Sequence, residues 1–349
     1  MNQTALLHIV ERLEGFLGKL PERIRRPVLN ELTPLKELFL QQRAPRFLFV
    51  GSSRIPMPQL VSAIFSPEKS EETVPTATPV HRWTEWIIDA RGSVSILDAR
   101  GADTVAKAEV ERELQREAAD LVFLIDEGKM DLEKLTAGPK IVGICVGTEE
   151  RAEKLEASLR HDKLVRERVI KVIRLTERRS AETRRLMSIL TQELPNEAKI
   201  EMIRISRDRE AQQHVAQILV KSTTAICTAI GAQPIPLADM PILTTLQLVM
   251  VSGIMYVSGR ERSLRAATEF VAALGANVGA GMLLREGARA ILKFFPGWGN
   301  VICGMVAGAG TYAIGRAASA FFIEGVSLKD ARRTYLRSRK KRPRPSLRA

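Results

Sequence analysis

The stretch Phe47-Leu48-Phe49-Val50-Gly51-Ser52-Ser53-Arg54-Ile55-Pro56-Met57-Pro58 constrains the fold of this chain more than any other. It reads as an apolar strand that runs into a glycine turn and then into the helical pattern Gln59–Phe65, with Pro58 suited to the first turn of that helix. The alternation continues downstream. His81–Asp89 and Ser93–Leu97 read as strands joined by Ala90-Arg91-Gly92, a helix is predicted over Val105–Glu117, and Ala119–Asp126 and Lys140–Val146 are further short apolar runs. Strands alternating with helices predict an α/β unit, a mostly parallel sheet with helices on both faces. Between the first helix and the second strand, Ser66–Pro79 is rich in Pro, Thr, Ser and Glu and reads as a long loop.

The flanks differ in kind. Leu6, Val10, Leu13, Leu17 and Leu20, then Ile24, Val28, Leu32, Leu35 and Leu38, recur at helical spacing and predict amphipathic helices within residues 1–45 that pack on a neighbouring helix. The α/β part is expected over residues 46–194, closed by a helix at Ala181–Leu194, with its boundary at Leu194-Pro195. Glu197–Lys221 then reads as one charged amphipathic helix, after which the composition changes: Ser222–Gly259 holds a single charge, Asp239, and Phe294–Gly315 holds none. This predicts an all-α domain over residues 195–325, and 349 residues leave room for both domains.

Charge marks the end of the chain. From Lys329 to Ala349 there are ten Lys/Arg and one acid, so this segment carries +9 of the net +13. The spacing predicts a basic, disordered tail over residues 326–349 that binds anionic surfaces: phospholipid head groups, RNA or acidic protein. No aromatic follows Tyr335, so base stacking is not indicated. Cys145, Cys227 and Cys303 stand far apart in apolar surroundings, which predicts neither a disulfide framework nor a metal site and fits a reducing cytosolic compartment. Glu11, Arg12 and Glu14 interrupt the first apolar pattern, unlike a secretory signal.

In a phosphate-binding loop of the form G-x-x-x-x-G-K-[ST] counted from Gly51, the second Gly, the Lys and the Ser/Thr would fall on Pro56, Met57 and Pro58. Pro56 has no N–H and cannot take positive φ, Met57 brings no charge, and Pro58 has no hydroxyl for Mg²⁺. The loop architecture is kept while its chemistry is absent. Residues 46–194 nevertheless resemble an Era/TrmE-type small GTPase domain. The spacing from Gly51 to Asp98-Ala99-Arg100-Gly101 suits a D-x-x-G switch, and Thr73, Thr76 and Thr78 stand where the family keeps its first switch threonine. The resemblance implies that Asp98 would act through water on Mg²⁺ and that the Gly101 N–H would read a γ-phosphate. Where the family has N-K-x-D to read guanine, this chain has Val146-Gly147-Thr148-Glu149, with only Glu149 acidic.

What the resemblance leaves is a vestigial nucleotide pocket of Gly51, Ser52, Ser53, Asp98 and Gly101, with Asp98 a metal ligand only if Mg²⁺ is bound. Lys and Mg²⁺ supply most of the charge stabilisation in phosphoryl transfer. Their loss implies a pseudo-GTPase with no cofactor. The alternative is a GTP-binding protein that uses the backbone amides of Gly51–Arg54, with Asp98 on Mg²⁺.

Ala229-Ile230-Gly231-Ala232-Gln233-Pro234-Ile235-Pro236-Leu237-Ala238-Asp239-Met240-Pro241-Ile242-Leu243 resembles the opening of a YcjF-like helical domain of uncharacterised bacterial proteins, which often follows GTPase domains. The resemblance extends through Phe294-Phe295-Pro296-Gly297-Trp298-Gly299-Asn300 and Ala313-Ile314-Gly315-Arg316-Ala317-Ala318. Met240–Gly259 and Phe294–Gly315 are each long enough to cross a hydrocarbon core of about 30 Å. Glycine faces at Gly275–Gly279 and Gly304–Gly308 are expected to pack a helix over Thr268–Leu284 against one over Val301–Ala320. Arg260, Arg262 and Arg265 follow the first apolar segment, and Arg285, Arg289 and Lys293 follow the predicted helix Thr268–Leu284, which puts basic loops on both sides and disfavours simple alternating threading.

The combined expectation is a cytoplasmic protein at the inner face of the membrane. It would act as a non-hydrolysing adaptor whose GTPase-like platform binds an unidentified protein and whose tail meets anionic lipid. A ribosome- or RNA-associated factor and a homo-oligomer are compatible with the same sequence.

Overall fold

The computed structural model describes residues 42–65, 81–88, 91–126, 138–163, 165–175, 181–232, 239–275 and 298–340, with a few positions between Glu22 and Glu31. Most of the predicted N-terminal helices, and Thr73, Thr76 and Thr78, lie outside the described residues. The chain divides into two units, one spanning Gln42–Asp208 and the other taking in Arg209 onward.

The first unit is built on a six-stranded sheet in the order β2-β3-β1-β4-β5-β6. Its strands are β1 (Arg46–Gly51), β2 (Thr84–Ile88), β3 (Gly92–Asp98), β4 (Leu121–Ile125), β5 (Lys140–Val146) and β6 (Val169–Leu175). Neighbouring strands are parallel except for the β2–β3 hairpin. The apolar run of β1 is buried on both sides, as a strand in such a sheet requires. Phe47 and Phe49 join a core with α1 (Met57–Phe65), α4 (Ala181–Glu193) and α5 (Asn196–Ser206), through Leu60, Ile64, Leu186, Leu190, Met202 and Ile205. Leu48 and Val50 enter the opposite core with α2 (Thr104–Arg116) and α3 (Glu149–His161), through Val110, Leu155 and Leu159. The expected mostly parallel sheet with helices on both faces is therefore observed.

Two expectations about this half change. Glu197–Lys221 is not one helix: Arg207 takes a left-handed conformation, φ 55°, and the chain breaks there into α5 and α6 (Arg209–Gly231). Because Met202 and Ile205 of α5 are buried in the sheet core, the unit extends to Asp208 rather than ending at Leu194-Pro195.

The second unit comprises α6, α7 (Asp239–Val257), α8 (Leu264–Gly275), α9 (Trp298–Ser319), a π-helical turn over Ala320–Glu324, and α10 (Leu328–Lys340). The glycines of α9 face α6, not α8 as the sequence suggested. A Cβ on Gly304 would stand 2.8 Å from the Thr228 carbonyl oxygen and 2.9 Å from the Ala232 Cβ, and one on Gly308 would meet the Thr228 hydroxyl. Gly315 is filled against by Val220 of α6 and Met250 of α7. The other glycine face lies largely outside the described residues. Among the described residues no helix is long and apolar enough to cross a membrane, although α7 and α9 coincide with the two charge-poor segments.

The basic segment also departs from expectation. Instead of being disordered throughout, it forms α10, because Ala331 and Tyr335 supply an apolar side four residues apart and are 0% and 2% exposed. Ser327 caps this helix: its hydroxyl donates to Asp330 Oδ2 at 2.7 Å and accepts the Asp330 N–H at 3.2 Å. The Ser327 hydrogen bond, helped by Arg333, holds the Asp330 carboxyl below the usual carboxylate range. Residues 341–349 lie outside the described residues.

Gly304→Ala tests the α6–α9 contact. The new methyl meets backbone carbonyl, which cannot rotate away, so the substitution should cost about 1–3 kcal/mol in urea denaturation. Unchanged unfolding would mean the two helices are free to separate.

Candidate functional site

The strand order places a reversal beside β1: the chain passes from β1 to β2 and β3 on one side, then crosses to β4 on the other. In open α/β sheets ligands bind outside the carboxyl ends of the strands at such a point. The carboxyl ends of β1, β3 and β4 and the loops that follow them therefore frame the candidate site and hold Gly51, Ser52, Ser53, Asp98 and Gly101, whereas Glu149 follows β5 and Thr73, Thr76 and Thr78 lie outside the described residues.

Gly51 ends β1 at φ +96°, and a Cβ there would lie 2.4 Å from the Ile125 carbonyl oxygen at the end of β4. The absent side chain lets the Ser52 N–H reach that same oxygen at 2.9 Å. Gly51 is thus required by the close approach of two strands whether or not a phosphate binds. Beyond it, the Arg54 N–H leans toward the Ser52 hydroxyl at 3.4 Å, and Ser53 is exposed. The following helix opens with few donors: Pro56 and Pro58 have no N–H, and the Gln59 and Leu60 amides are given to Pro56 O.

Asp98 ends β3, and its carboxylate is already engaged. Arg100 donates through Nε to Oδ1 at 2.8 Å and through Nη2 to Oδ2 at 2.9 Å, a fork that matches both oxygens, and its backbone N–H reaches Oδ1 at 3.1 Å. The third guanidinium nitrogen, Nη1, donates to Ile55 O at 2.6 Å. One buried side chain thereby ties the turn after β1 to the turn after β3. The Arg100 side chain is 3% exposed, against 32% for Asp98. The two turns also touch directly, since a Cβ on Gly101, at φ +65°, would fall 3.0 Å from the Ser53 hydroxyl. His81 Nδ1 stands 3.0 Å from the Asp98 carbonyl, which accepts from it.

Gly51, Ser52, Ser53, Asp98 and Gly101 are thus gathered by the fold, and Arg100 is the member the sequence reading passed over. Its signal was a cation two residues after an acid inside D-x-x-G, a spacing at which a turn brings the two side chains together. Glu149 behaves differently: it opens α3 in full exposure, where its charge suits the helix N-terminus.

The carboxyl end of β4 carries Asp126 in a left-handed conformation, φ 48°, with Oδ1 accepting the Val146 N–H at 3.0 Å. Burial pushes the neighbouring Cys145 thiol up, and the Asp126 charge adds to the shift. A neutral, buried thiol is a poor nucleophile.

Ion pairing at the amino ends of β1 and β4 has a different purpose. Arg43 forks onto Asp120 at 2.7 and 2.6 Å, and the Arg46 N–H donates to the same carboxylate at 2.8 Å. The Asp120 hydrogen bond raises the Arg43 pKa and so favours the charged guanidinium that fixes the start of β1.

The residues do not fit Mg²⁺ and nucleotide. Both Asp98 oxygens are held by an internal cation, and Pro56, Met57 and Pro58 offer neither charge nor hydroxyl to a phosphate. Among the described residues no group of three His, Cys, Asp or Glu side chains converges.

The fold and these loops define the class: an α/β unit whose two switch-point turns are bridged by Arg100, in one chain with a helical unit. No protein-family model matches the chain, and no curated protein matches it.

The fork predicts an asymmetry. Asp98→Ala strands a buried guanidinium and should destabilise the protein by about 3 kcal/mol, whereas Arg100→Ala leaves a carboxylate that water can reach and should cost about 2 kcal/mol. Thermal and urea unfolding of the two variants measure the order; the reverse order would mean that Arg100 finds water or another partner once Asp98 is gone.

Proposed function

We propose that this chain is a non-hydrolysing, GTPase-like adaptor. Its first unit is a degenerate nucleotide-binding fold of the Era/TrmE kind used as a protein-binding platform. Its second is a YcjF-like helical unit held at the inner face of the membrane. The observation that carries the reading is the Arg100 fork. A cation on Asp98 and Ile55 O satisfies from within the charge that Mg²⁺ would otherwise satisfy, and it ties the two turns together. A GTPase switch changes shape because its loops are ordered by the γ-phosphate and released on its loss; loops tied together by their own side chain have no such dependence. A constant surface suits a scaffold.

Isothermal calorimetry of the whole protein with GTP, GDP and ATP in the presence of Mg²⁺ tests this reading, and no saturable heat is expected. Arg100→Ala should not restore binding, because the position of the phosphate lysine is still Met57. Micromolar affinity of the wild-type protein for any of the three nucleotides would overturn the reading.

A further inference from the structure

The outward side of α10 is chemically unlike its buried side. Ala331 and Tyr335 seat the helix on its own unit, so Lys329, Arg333, Leu336 and Arg337 are turned outward and exposed. Arg333 is paired with Asp330 at 3.2 Å and Lys329 also acts on that carboxylate, while among the described residues Arg332 and Arg337 make no ion pair. Leu328 and Leu336 are 40% and 42% exposed on the same helix, eight residues and about 12 Å apart along the axis. Leu336 lies among these cations, and a phosphate backbone would give it no partner. The aromatic that could stack on a base, Tyr335, is buried. Exposed cations beside a short aliphatic side chain match a surface that is anionic outside and apolar just beneath.

We infer that α10 is a preformed docking face for an anionic phospholipid bilayer, with Lys329 and Arg337 meeting head groups and Leu336 between them dipping to the acyl boundary. The inference rests on the membrane-proximal half of the proposed function and assigns that half to one helix. It differs from attachment by a disordered polybasic tail, because the face is already folded and binding orders no chain.

Co-sedimentation of the full chain with phosphatidylserine–phosphatidylcholine vesicles, beside pure phosphatidylcholine vesicles and a single-stranded RNA, tests it. The wild-type protein should bind the anionic vesicles and lose them as salt rises. A basic residue near such a surface is worth about fivefold in affinity, so the double variant Lys329→Ala, Arg337→Ala should weaken binding by about tenfold or more. Leu336→Ser should weaken it too while keeping the salt dependence of what remains, and both variants should melt as wild type does, since the changed side chains are exposed.

Wild-type binding by both variants would remove α10 while leaving the membrane-proximal reading standing. Absence of vesicle binding by the wild-type protein would overturn both. Salt-dependent RNA binding that is lost in the double variant but indifferent to Leu336→Ser would overturn the lipid assignment in favour of nucleic acid. Nucleotide calorimetry, which tests the other half of the proposal, is independent of all these outcomes.

Discussion

The turn after β1 depends on the missing side chain of Gly51. With any Cβ there the chain would collide with the Ile125 carbonyl, the Ser52 amide could not reach that oxygen, and β1 could not pass beside β4 into α1. Everything placed at the switch point follows from this approach. Ile55 is brought to where Arg100 can reach its carbonyl, Ser53 is laid against Gly101, and Met57 begins a helix whose Leu60 and Ile64 fill the core beneath.

The second determinant is the way charge is satisfied inside the unit. Asp98 and Asp120 sit at opposite ends of the sheet, and each is met by a forked arginine together with a backbone amide. Partly buried carboxylates are tolerated when so matched and costly when left alone. At the amino ends the match fixes the start of β1. At the carboxyl ends the match ties the turn after β1 to the turn after β3.

The helical unit solves a different problem with small residues. α9 and α6 come together through Gly304, Gly308 and Gly315, and two hydroxyls of these helices bond back to their own backbones, Thr311 to Ala307 O and Thr228 to Thr224 O. Close approach at these glycines lets a charge-poor sequence pack without long aliphatic side chains at the contact. Charge-poor length alone therefore does not make α7 or α9 a membrane span.

Much of the first unit was legible in the sequence because its information is local. An apolar strand, a glycine turn and an amphipathic helix each have a period or a residue type that declares them, and their alternation gave the layered sheet. Strand β6, with the charged Lys171 and Arg174 among its apolar residues, gave no clean period, and the break at Arg207 carries no glycine or proline to announce it. The candidate site was half legible: Gly51, Ser52, Ser53, Asp98 and Gly101 could be named from spacing. That Arg100 folds back on Asp98 and reaches Ile55, more than forty residues earlier, is a contact between distant turns that no local pattern encodes.

By itself the sequence determined which segments could be strands, which ends carried charge, and that the groups of a phosphate loop were absent, since these are properties of residue type and order. Only the tertiary structure decided that α5 belongs to the sheet, that the glycines of α9 face α6, that the basic segment packs as a helix, and that an arginine bridges the two turns at the switch point. Each of these depends on which surfaces meet, and a surface exists only once the chain has folded.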